Sequence, residues 1–341
     1  MASTVRVGII GLGNWGECHL EAFHALPHAE VAAVADPRPD RLDVAKIKYG
    51  VSSCYTDYNE LLERDDIDLV SVVTTEHLHL DPVVKALCSG KHVLVEKPVS
   101  TRLSEAAEMH RVALEQGRYV MPGHLLRFDP RYADIRRAIA AGEIGRPVSM
   151  YMKRAREQHL FATYSRTHTV YELMIHDIDL AVWYAQSRVR TVRAYGRSPS
   201  GSETPEVLWA CLEFENGILA FLHSNWMTPD RAGIAIADQI EVIGSGGTAS
   251  FETSNSGLQL WNETGRTTPD TNIHIKTLHK QTAGSLREQL LYLCDCLGRG
   301  EAPDYVSFED AIHGVEIADA IVKSAAGGGE IRLQLRKPEI T

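Results

Sequence analysis

A glycine-rich turn near the start of the sequence constrains the fold more than any other feature. Val5 to Ile10 is a short apolar run, followed directly by G-x-G-x-x-G at Gly11, Gly13 and Gly16. The first glycine permits a tight turn, the second lets a pyrophosphate approach the backbone, and the third lets a helix pack closely on a strand. Asp36 ends the next apolar run, 20 residues after Gly16, where an acid can bind a ribose hydroxyl. The spacing predicts a dinucleotide-binding turn.

Apolar runs alternate with helical segments through the first part of the chain. Continuous apolar strands between helices are typical of a parallel sheet that is covered on both faces. The expected strands are Val5 to Ile10, Glu30 to Ala35, Leu69 to Val73, His92 to Val95 and Tyr119 to Pro122. The expected helices are Trp15 to Leu26, Arg41 to Tyr49, Pro82 to Cys88 and Leu103 to Gln116.

The pattern changes after residue 145, where strand-like runs follow one another with turn signals between several of them. A helix near Val170 to Tyr184 interrupts these strands, and two more helices follow near Ser285 to Leu297 and Phe308 to Ala325. We therefore expect an α/β protein. We expect residues 1–125 to form an N-terminal Rossmann domain. We expect residues 126–341 to form a C-terminal α+β domain with a large, mostly antiparallel open sheet.

Composition narrows the function classes. The chain has 341 residues and a formal net charge of −10, which argues against a nucleic-acid partner. No apolar run approaches the roughly 20 residues that span a bilayer, so no membrane partner is expected. The six cysteines are scattered and lack the spacing of a zinc site. They predict reduced thiols, a cytoplasmic location and no metal.

A second motif, Glu96-Lys97-Pro98, follows the apolar run His92 to Val95. It puts a lysine at the carboxyl edge of the predicted parallel sheet, which is where ligands bind in open α/β folds. We expect Lys97 to point at a bound cofactor and at the group that reacts with it.

Three stretches together resemble a known family. They are the glycine turn, the segment Gly90 to Pro98, and Ile175-His176-Asp177-Ile178-Asp179. They are similar to the glucose–fructose oxidoreductase, inositol dehydrogenase and rhizopine-catabolism (Gfo/Idh/MocA) family, and the resemblance covers essentially the whole chain. It implies an NAD(P)-dependent oxidoreductase that moves a hydride between nicotinamide and a hydroxyl-bearing carbon of a sugar, sugar derivative or inositol.

The resemblance and the glycine turn together give the expected cofactor contacts. These are Gly11, Gly13, Asn14, Trp15, Asp36, Arg38, Thr74, His77, His79, Glu96, Lys97 and His124. An acid at Asp36 repels a 2′-phosphate, so NAD is favoured over NADP. Arg38 and Arg41 keep NADP open, because either could pair with a 2′-phosphate if Asp36 turned away. The family often has Thr-Pro after the third strand, where this chain has Thr74-Thr75.

The resemblance also assigns catalytic roles. His176 would exchange the proton of the reacting hydroxyl, and Lys97 would contact both cofactor and substrate. Glu172 stands four residues before His176, where the family more often has aspartate, and an α-helix would place both on one face. Histidine suits proton exchange near neutral pH, and a lysine ammonium stabilises a developing alkoxide. Without the family, the same polar stripe could be a solvated helix face.

The substrate side is less determined. The expected contacts are Lys97, Arg154, Tyr164, Arg166, Glu172 and His176. A basic cluster that includes Arg154 and Arg166 could favour a carboxylated, phosphorylated or nucleotide-linked sugar, although neutral polyols remain open.

Three function classes remain open from the sequence. They are a sugar or inositol dehydrogenase, a glycosidase of the same fold that uses NAD transiently, and a non-catalytic dinucleotide-binding regulator. The roles of Lys97 and His176 favour the first class and predict a site that both domains build. The open sheet predicts a homodimer or homotetramer.

Overall fold

A computed structural model of the chain describes residues 3–234, 236–254, 258–263, 265–268, 270–278 and 281–334. Its contacts divide the chain into two units. The first unit comprises Met1–Asp129 and Asn272–Ile312, and the second comprises Pro130–Thr271 and His313–Thr341.

The first unit contains the predicted parallel sheet. Six strands pair in the order β3-β2-β1-β4-β5-β6, all parallel. The strands are β1 Val5–Ile10, β2 Ala29–Ala35, β3 Cys54–Tyr55, β4 Leu69–Val72, β5 His92–Glu96 and β6 Val120–Gly123. The helices are α1 Asn14–His24, α2 Pro39–Tyr49, α3 Tyr58–Leu62, α4 Leu80–Cys88 and α5 Leu103–Gln116. The predicted Rossmann arrangement is confirmed.

The strand register brings the predicted motifs to one edge of this sheet. Ile10, at the end of β1, pairs with Val72 of β4, and Val72 pairs with Val95 of β5. Glu96 pairs with Gly123 at the end of β6. The turns after these four strands therefore lie at the same carboxyl edge of the sheet. The strand order changes direction between β1 and β4, and ligands bind at such a switch point in open α/β sheets.

The second unit is built on a seven-stranded sheet in the order β12-β11-β7-β10-β9-β8-β17. Only β7 and β10 pair in parallel, so the prediction of a mostly antiparallel sheet is confirmed. The helices before residue 272 are α6 Pro130–Ala140, α7 Phe161–Tyr164 and α8 Ile175–Ala185. The strands there are β7 Pro147–Glu157, β8 Val189–Arg197, β9 Val207–Phe214, β10 Leu219–Thr228, β11 Ile236–Gly244, β12 Thr248–Glu252, β13 Leu260–Asn262 and β14 Gly265–Thr267.

The last part of the chain is divided between the two units. Its elements are β15 Ile275–Leu278, β16 Gln281–Ala283, α9 Ser285–Arg299, α10 Phe308–Gly327 and β17 Ile331–Arg332. The sequence analysis assigns all of 126–341 to a second domain, whereas Asn272–Ile312 packs with the first unit. The reason is the apolar stripe of α9, because Leu286, Leu290 and Leu293 join the same buried core as Val7 of β1. No helix in the described part of the chain is both long and apolar enough to cross a bilayer.

Candidate active site

The glycine turn after β1 has the geometry that dinucleotide binding requires. Gly11 has φ +94°, and a Cβ there would lie 2.6 Å from the carbonyl oxygen of Val73. A Cβ on Gly16 would lie 2.0 Å from the carbonyl oxygen of Gly11. Gly13 differs, because a Cβ there would meet no atom of the protein within 4 Å. The open space at Gly13, beside the N-terminus of α1, fits the pyrophosphate of a dinucleotide.

Asp36 holds this turn in place. Its Oδ2 accepts a hydrogen bond from the N–H of Leu12 at 2.7 Å, and its Oδ1 accepts one from the N–H of Arg38 at 2.9 Å. Each carboxylate oxygen can accept a further hydrogen bond from a ribose hydroxyl. The guanidinium of Arg38 is paired with Asp40 at 2.6 Å rather than with Asp36. This arrangement fits a dinucleotide whose ribose carries no 2′-phosphate.

The open space at Gly13 gives the first testable prediction. Gly13→Ala should fold with a melting temperature close to that of the wild type, because the new methyl group meets no protein atom. It should raise the NADH dissociation constant about tenfold, since the methyl group occupies space that the pyrophosphate needs. Fluorescence titration measures the affinity. Gly327→Ala is the control for glycine replacement, because a Cβ there also meets no protein atom within 4 Å and φ is not positive. Unchanged NADH affinity in Gly13→Ala would contradict the assignment.

The loop after β4 contains three of the predicted cofactor contacts. Thr74 is half-buried and His77 is exposed on a short 3₁₀ turn, Glu76–Leu78. His79 is buried, with its Nδ1 3.0 Å from the carbonyl oxygen of Pro98 and its Nε2 3.2 Å from that of Thr74. Burial lowers the pKa of His79. His79 therefore links the β4 loop to the turn that follows Lys97, and its expected cofactor contact stays a prediction.

The Glu96-Lys97 segment is anchored by side chains that the sequence analysis did not select. Glu96 Oε1 lies 3.0 Å from Nε2 of His19, and His19 Nδ1 lies 3.1 Å from Oγ of Ser71. Glu96 Oε2 accepts a hydrogen bond from the backbone N–H of Lys97 at 3.0 Å. The carboxylate thus contacts His19 and the Lys97 backbone, and the cofactor contact expected of Glu96 stays a prediction. In the sequence, the one feature that could have pointed to this contact is that His19 stands three residues after Gly16, on the first helix.

The remaining predicted cofactor residues lie around the same sheet edge. Asn14 is the first residue of α1 and is exposed, and Trp15 presents its ring edge-on to His19 with centroids 5.9 Å apart. His124 is buried directly after β6, next to the Glu96–Gly123 pair. All three residues lie near the glycine turn or the end of β5, and their contacts with a cofactor stay predictions.

In the second unit, the predicted helix around His176 begins differently. Val170–Met174 forms a π-helical turn, and the regular helix α8 starts at Ile175. The wider turn means that Glu172 and His176 are not stacked as one ordinary α-helical turn would stack them. Glu172 is half-buried, with its Oε2 3.9 Å from Nη2 of Arg166. Such π-helical turns occur frequently at functional sites.

Arg154 belongs to a buried ion cluster in the second unit. It is 1% exposed, and its guanidinium contacts Asp177 at 2.8 Å and Asp238 at 2.6 Å. Arg156 pairs with the same Asp238 at 2.5 Å. Burial alone would raise the pKa of Asp238, but the two guanidinium groups outweigh it and hold this pKa below its usual range. These contacts support a structural role for Arg154, in which it holds the start of α8 through Asp177, while its expected substrate contact stays a prediction.

The buried ion cluster gives a stability prediction. Arg154→Met should lower the free energy of unfolding by about 3–5 kcal/mol at pH 7, because the buried carboxylate of Asp177 loses its guanidinium partner and that of Asp238 keeps only Arg156. The loss should narrow as the pH falls below about 4, the ordinary pKa of an aspartate. The lowered pKa of Asp238 stabilises the wild type while that carboxyl is ionised, and this contribution disappears as the pH falls through the folded-state pKa. Urea unfolding at neutral pH and at a pH well below that ordinary pKa measures both values, with Arg146→Met as the exposed control. An equal deficit at both pH values would contradict the assignment.

Tyr164 and Arg166 belong to an aromatic cluster before the π-helical turn. The Tyr164 ring stacks on Trp226 with centroids 5.7 Å apart at 14°, and the Arg166 guanidinium lies 5.7 Å from the Tyr164 centroid. Trp226 Nε1 donates a hydrogen bond to Oγ1 of Thr169 at 3.1 Å. The sequence analysis did not select Trp226, since an aromatic residue on a strand carries no local functional signal.

A metal centre has no support in the described residues. Within those ranges, no group of three or more His, Cys, Asp or Glu side chains is placed to hold a metal ion. All six cysteines are free thiols, none paired in a disulfide.

Comparison with known proteins adds two family matches. Residues 5–124 match the model described as "Oxidoreductase family, NAD-binding Rossmann fold", and residues 132–250 match the "GFO/IDH/MocA C-terminal domain". The scyllo-inositol 2-dehydrogenase (NAD(+)) of Bacillus subtilis is 27% identical over 350 residues, 99% of this chain and 98% of its own. The Thermotoga maritima myo-inositol 2-dehydrogenase is 29% identical over 71% of this chain and 74% of its own.

A solved structure supports the fold across both units. The crystal structure of scyllo-inositol dehydrogenase from Lactobacillus casei with bound NAD(H) and scyllo-inositol has a TM-score of 0.84 to this chain. The match covers 97% of this chain and 99% of that one, at 21% identity. The likeness therefore extends over almost the full length of both proteins.

Proposed function

Because this chain belongs to the Gfo/Idh/MocA family of oxidoreductases with an NAD-binding Rossmann domain, we propose that it oxidises a ring hydroxyl of inositol or of a closely similar neutral polyol. The predicted cofactor, NAD, and the predicted oxidoreductase class are confirmed by the family match. The substrate proposal rests on two observations. One is the full-length likeness to an NAD-dependent scyllo-inositol dehydrogenase. The other is that three arginines of the second unit pair with carboxylates.

The charge balance is the observation that carries the choice of a neutral substrate. A basic cluster of Lys153, Arg154, Arg156 and Arg166 made an anionic sugar an open alternative, but each of its three arginines has an acidic partner. Arg154 lies between Asp177 and Asp238, and Arg156 shares Asp238. Arg166 lies 3.9 Å from Glu172. The three arginines and three carboxylates sum to zero, so these arginines offer no net charge to attract a carboxylate or phosphate.

The chain's own residues have the following proposed roles. The bound NAD supplies the hydride acceptor. His176 accepts the proton of the reacting hydroxyl, as a neutral imidazole can near neutral pH. The Lys97 ammonium stabilises the negative charge that develops on that oxygen. The half-buried carboxylate of Glu172 holds Arg166 and orients polar groups of the substrate.

A substrate screen tests this function. Formation of NADH is followed by absorbance with myo-inositol, scyllo-inositol, glucose, glucuronate and inositol 1-phosphate, and with NADP in parallel. We expect kcat/KM for one of the two inositols to exceed that for inositol 1-phosphate by about a hundredfold, because a phosphate would be desolvated beside arginines that already pair with carboxylates. Preference for glucuronate or for the phosphate ester would overturn the neutral-substrate assignment. Absence of net NADH with every compound would favour the glycosidase or regulator alternatives.

The outer face of the large sheet supports the proposed homo-oligomer. Tyr195, Trp209 and Phe221 lie on neighbouring strands of this face and are 40–47% exposed. Trp209 pairs with Tyr195 in the strand register and stacks on His223 with centroids 3.9 Å apart. Leu219 and Phe221 extend the patch along β10. An apolar sheet face of this kind marks an interaction surface, and a second copy of the chain is the proposed partner.

An arginine on this face should reduce the oligomer. We expect Phe221→Arg to change the wild-type dimer or tetramer to a smaller species by light scattering, because the interface would bury an unpaired charge. Ile47→Arg, on the exposed side of α2, is the matched control and should leave the mass unchanged. A wild-type protein that is monomeric at working concentration would contradict the proposal.

A further inference from the structure

The polar chain Ser71–His19–Glu96 lies inside an otherwise apolar core of the first unit. His19 and Ser71 are fully buried and Glu96 is 4% exposed. Buried polar groups of this kind are costly unless each is hydrogen-bonded, and here they satisfy one another. Three separate elements supply them, because His19 is on α1, Ser71 is on β4 and Glu96 ends β5.

The protons in this chain can be assigned from the chemistry of its members. Burial alone would raise the pKa of Glu96, but the hydrogen bond with His19 and other favourable contacts outweigh it, so this pKa lies below its ordinary value. An ionised carboxylate only accepts hydrogen bonds. The N–H group at Nε2 of His19 therefore donates the hydrogen bond to Oε1 of Glu96. The other oxygen of Glu96 accepts the backbone N–H of Lys97.

The surroundings leave Glu96 little freedom. A Cβ on Gly123 of the neighbouring strand would lie 2.9 Å from Glu96 Oε1, so that strand is pressed against the carboxylate. On the other side, Trp15 packs edge-on against the His19 ring. Because the Glu96 side chain is packed this closely, a shift of α1 would also shift the backbone at Lys97.

We propose that His19 is a positioning residue for Lys97. Its hydrogen bond fixes the Glu96 carboxylate that holds the Lys97 backbone, and it thereby couples α1, whose N-terminus serves the cofactor, to the reactive lysine. This inference rests on the role proposed above for Lys97. His19 touches neither cofactor nor substrate in this account, so its replacement affects turnover more than cofactor affinity.

Two substitutions of similar polarity separate positioning from a merely structural role. His19→Gln keeps an N–H donor near the level of Nε2, whereas His19→Asn ends near the level of Nδ1 and cannot reach Glu96. We expect His19→Gln to retain kcat within about threefold and His19→Asn to lower it about tenfold, as for the loss of one charge-assisted hydrogen bond. NADH dissociation constants should stay within about threefold for both. His24→Asn, exposed at the end of α1, is the control.

The same substitution in a second background identifies the target of His19. In a Lys97→Met enzyme, His19→Asn should change the residual turnover less than about twofold, because the group it positions is gone. A further tenfold drop there, or equal kcat values for His19→Gln and His19→Asn, would overturn the inference. If His19→Asn does not fold, Ser71→Ala replaces it, with an expected loss of about threefold in kcat at unchanged NADH affinity. Wild-type turnover by Lys97→Met alone would instead refute the proposed function.

Discussion

Replacement of His176 by alanine is expected to lower kcat for inositol oxidation by about a thousandfold, the usual contribution of general acid–base catalysis. The NADH dissociation constant should change less than about threefold, because His176 belongs to the second unit and not to the Rossmann unit. The loss should appear in kcat more than in KM, since the proton leaves the hydroxyl only as the reaction proceeds.

The proposed role of His176 also predicts the direction in which the oxidation rate changes with pH. Oxidation requires a neutral imidazole, so the wild-type rate of inositol oxidation should rise with pH as His176 loses its proton. Reduction of the ketone should show the opposite trend, and His176→Ala should lack this ionisation in both directions. His159→Ala is the matched control, since His159 is exposed in the same unit and pairs with Asp230. Retention of more than about a tenth of wild-type kcat by His176→Ala would contradict the assigned role.

Replacement of Lys97 by methionine is expected to lower kcat/KM by about a hundredfold to a thousandfold, the effect of removing one preorganised charge from a developing oxyanion. Methionine keeps most of the aliphatic length and removes only the ammonium group. Stopped-flow absorbance at saturating NAD measures the loss directly.

Two comparisons make the Lys97 prediction specific. Lys97→Arg should not restore activity, because a planar guanidinium cannot replace a compact ammonium at a crowded strand end. Lys85→Met, on the exposed side of α4, should keep full activity. Wild-type kcat/KM in Lys97→Met would remove Lys97 from the reaction and leave it as a surface lysine at the end of β5.

Much of the first unit could be predicted from its sequence because its signals are local. The run Val5 to Ile10, the glycines after it and Asp36 specify strand, turn and ribose acid within the first 36 residues, and the structure joins them through the Asp36–Leu12 hydrogen bond. Helix α9 was different. Its apolar stripe predicts a buried face but not which core buries it, and Leu286 reaches the core of a unit that begins almost 300 residues earlier.

The candidate site shows the same limit. Arg154 carries a charge that the sequence alone cannot balance, because Asp238 lies 84 residues away and reaches it only through strand pairing of β7 with β11. His19 was not selected because its partner, Glu96, is 77 residues away. The π-helical turn at Val170–Met174 also escaped prediction, since its residues are compatible with an ordinary helix. Residue types and spacing predict chemistry, whereas long-range pairing decides which groups are available for it.

The fate of the carbon-bound hydrogen tests the central claim most directly. The protein is incubated with NAD and with myo-inositol or scyllo-inositol deuterated at its ring carbons, and the NADH formed is analysed by mass spectrometry. Direct hydride transfer from a ring carbon predicts one deuterium in each NADH and an inosose as the other product. Formation of unlabelled NADH, or no net NADH with either inositol, would contradict the account.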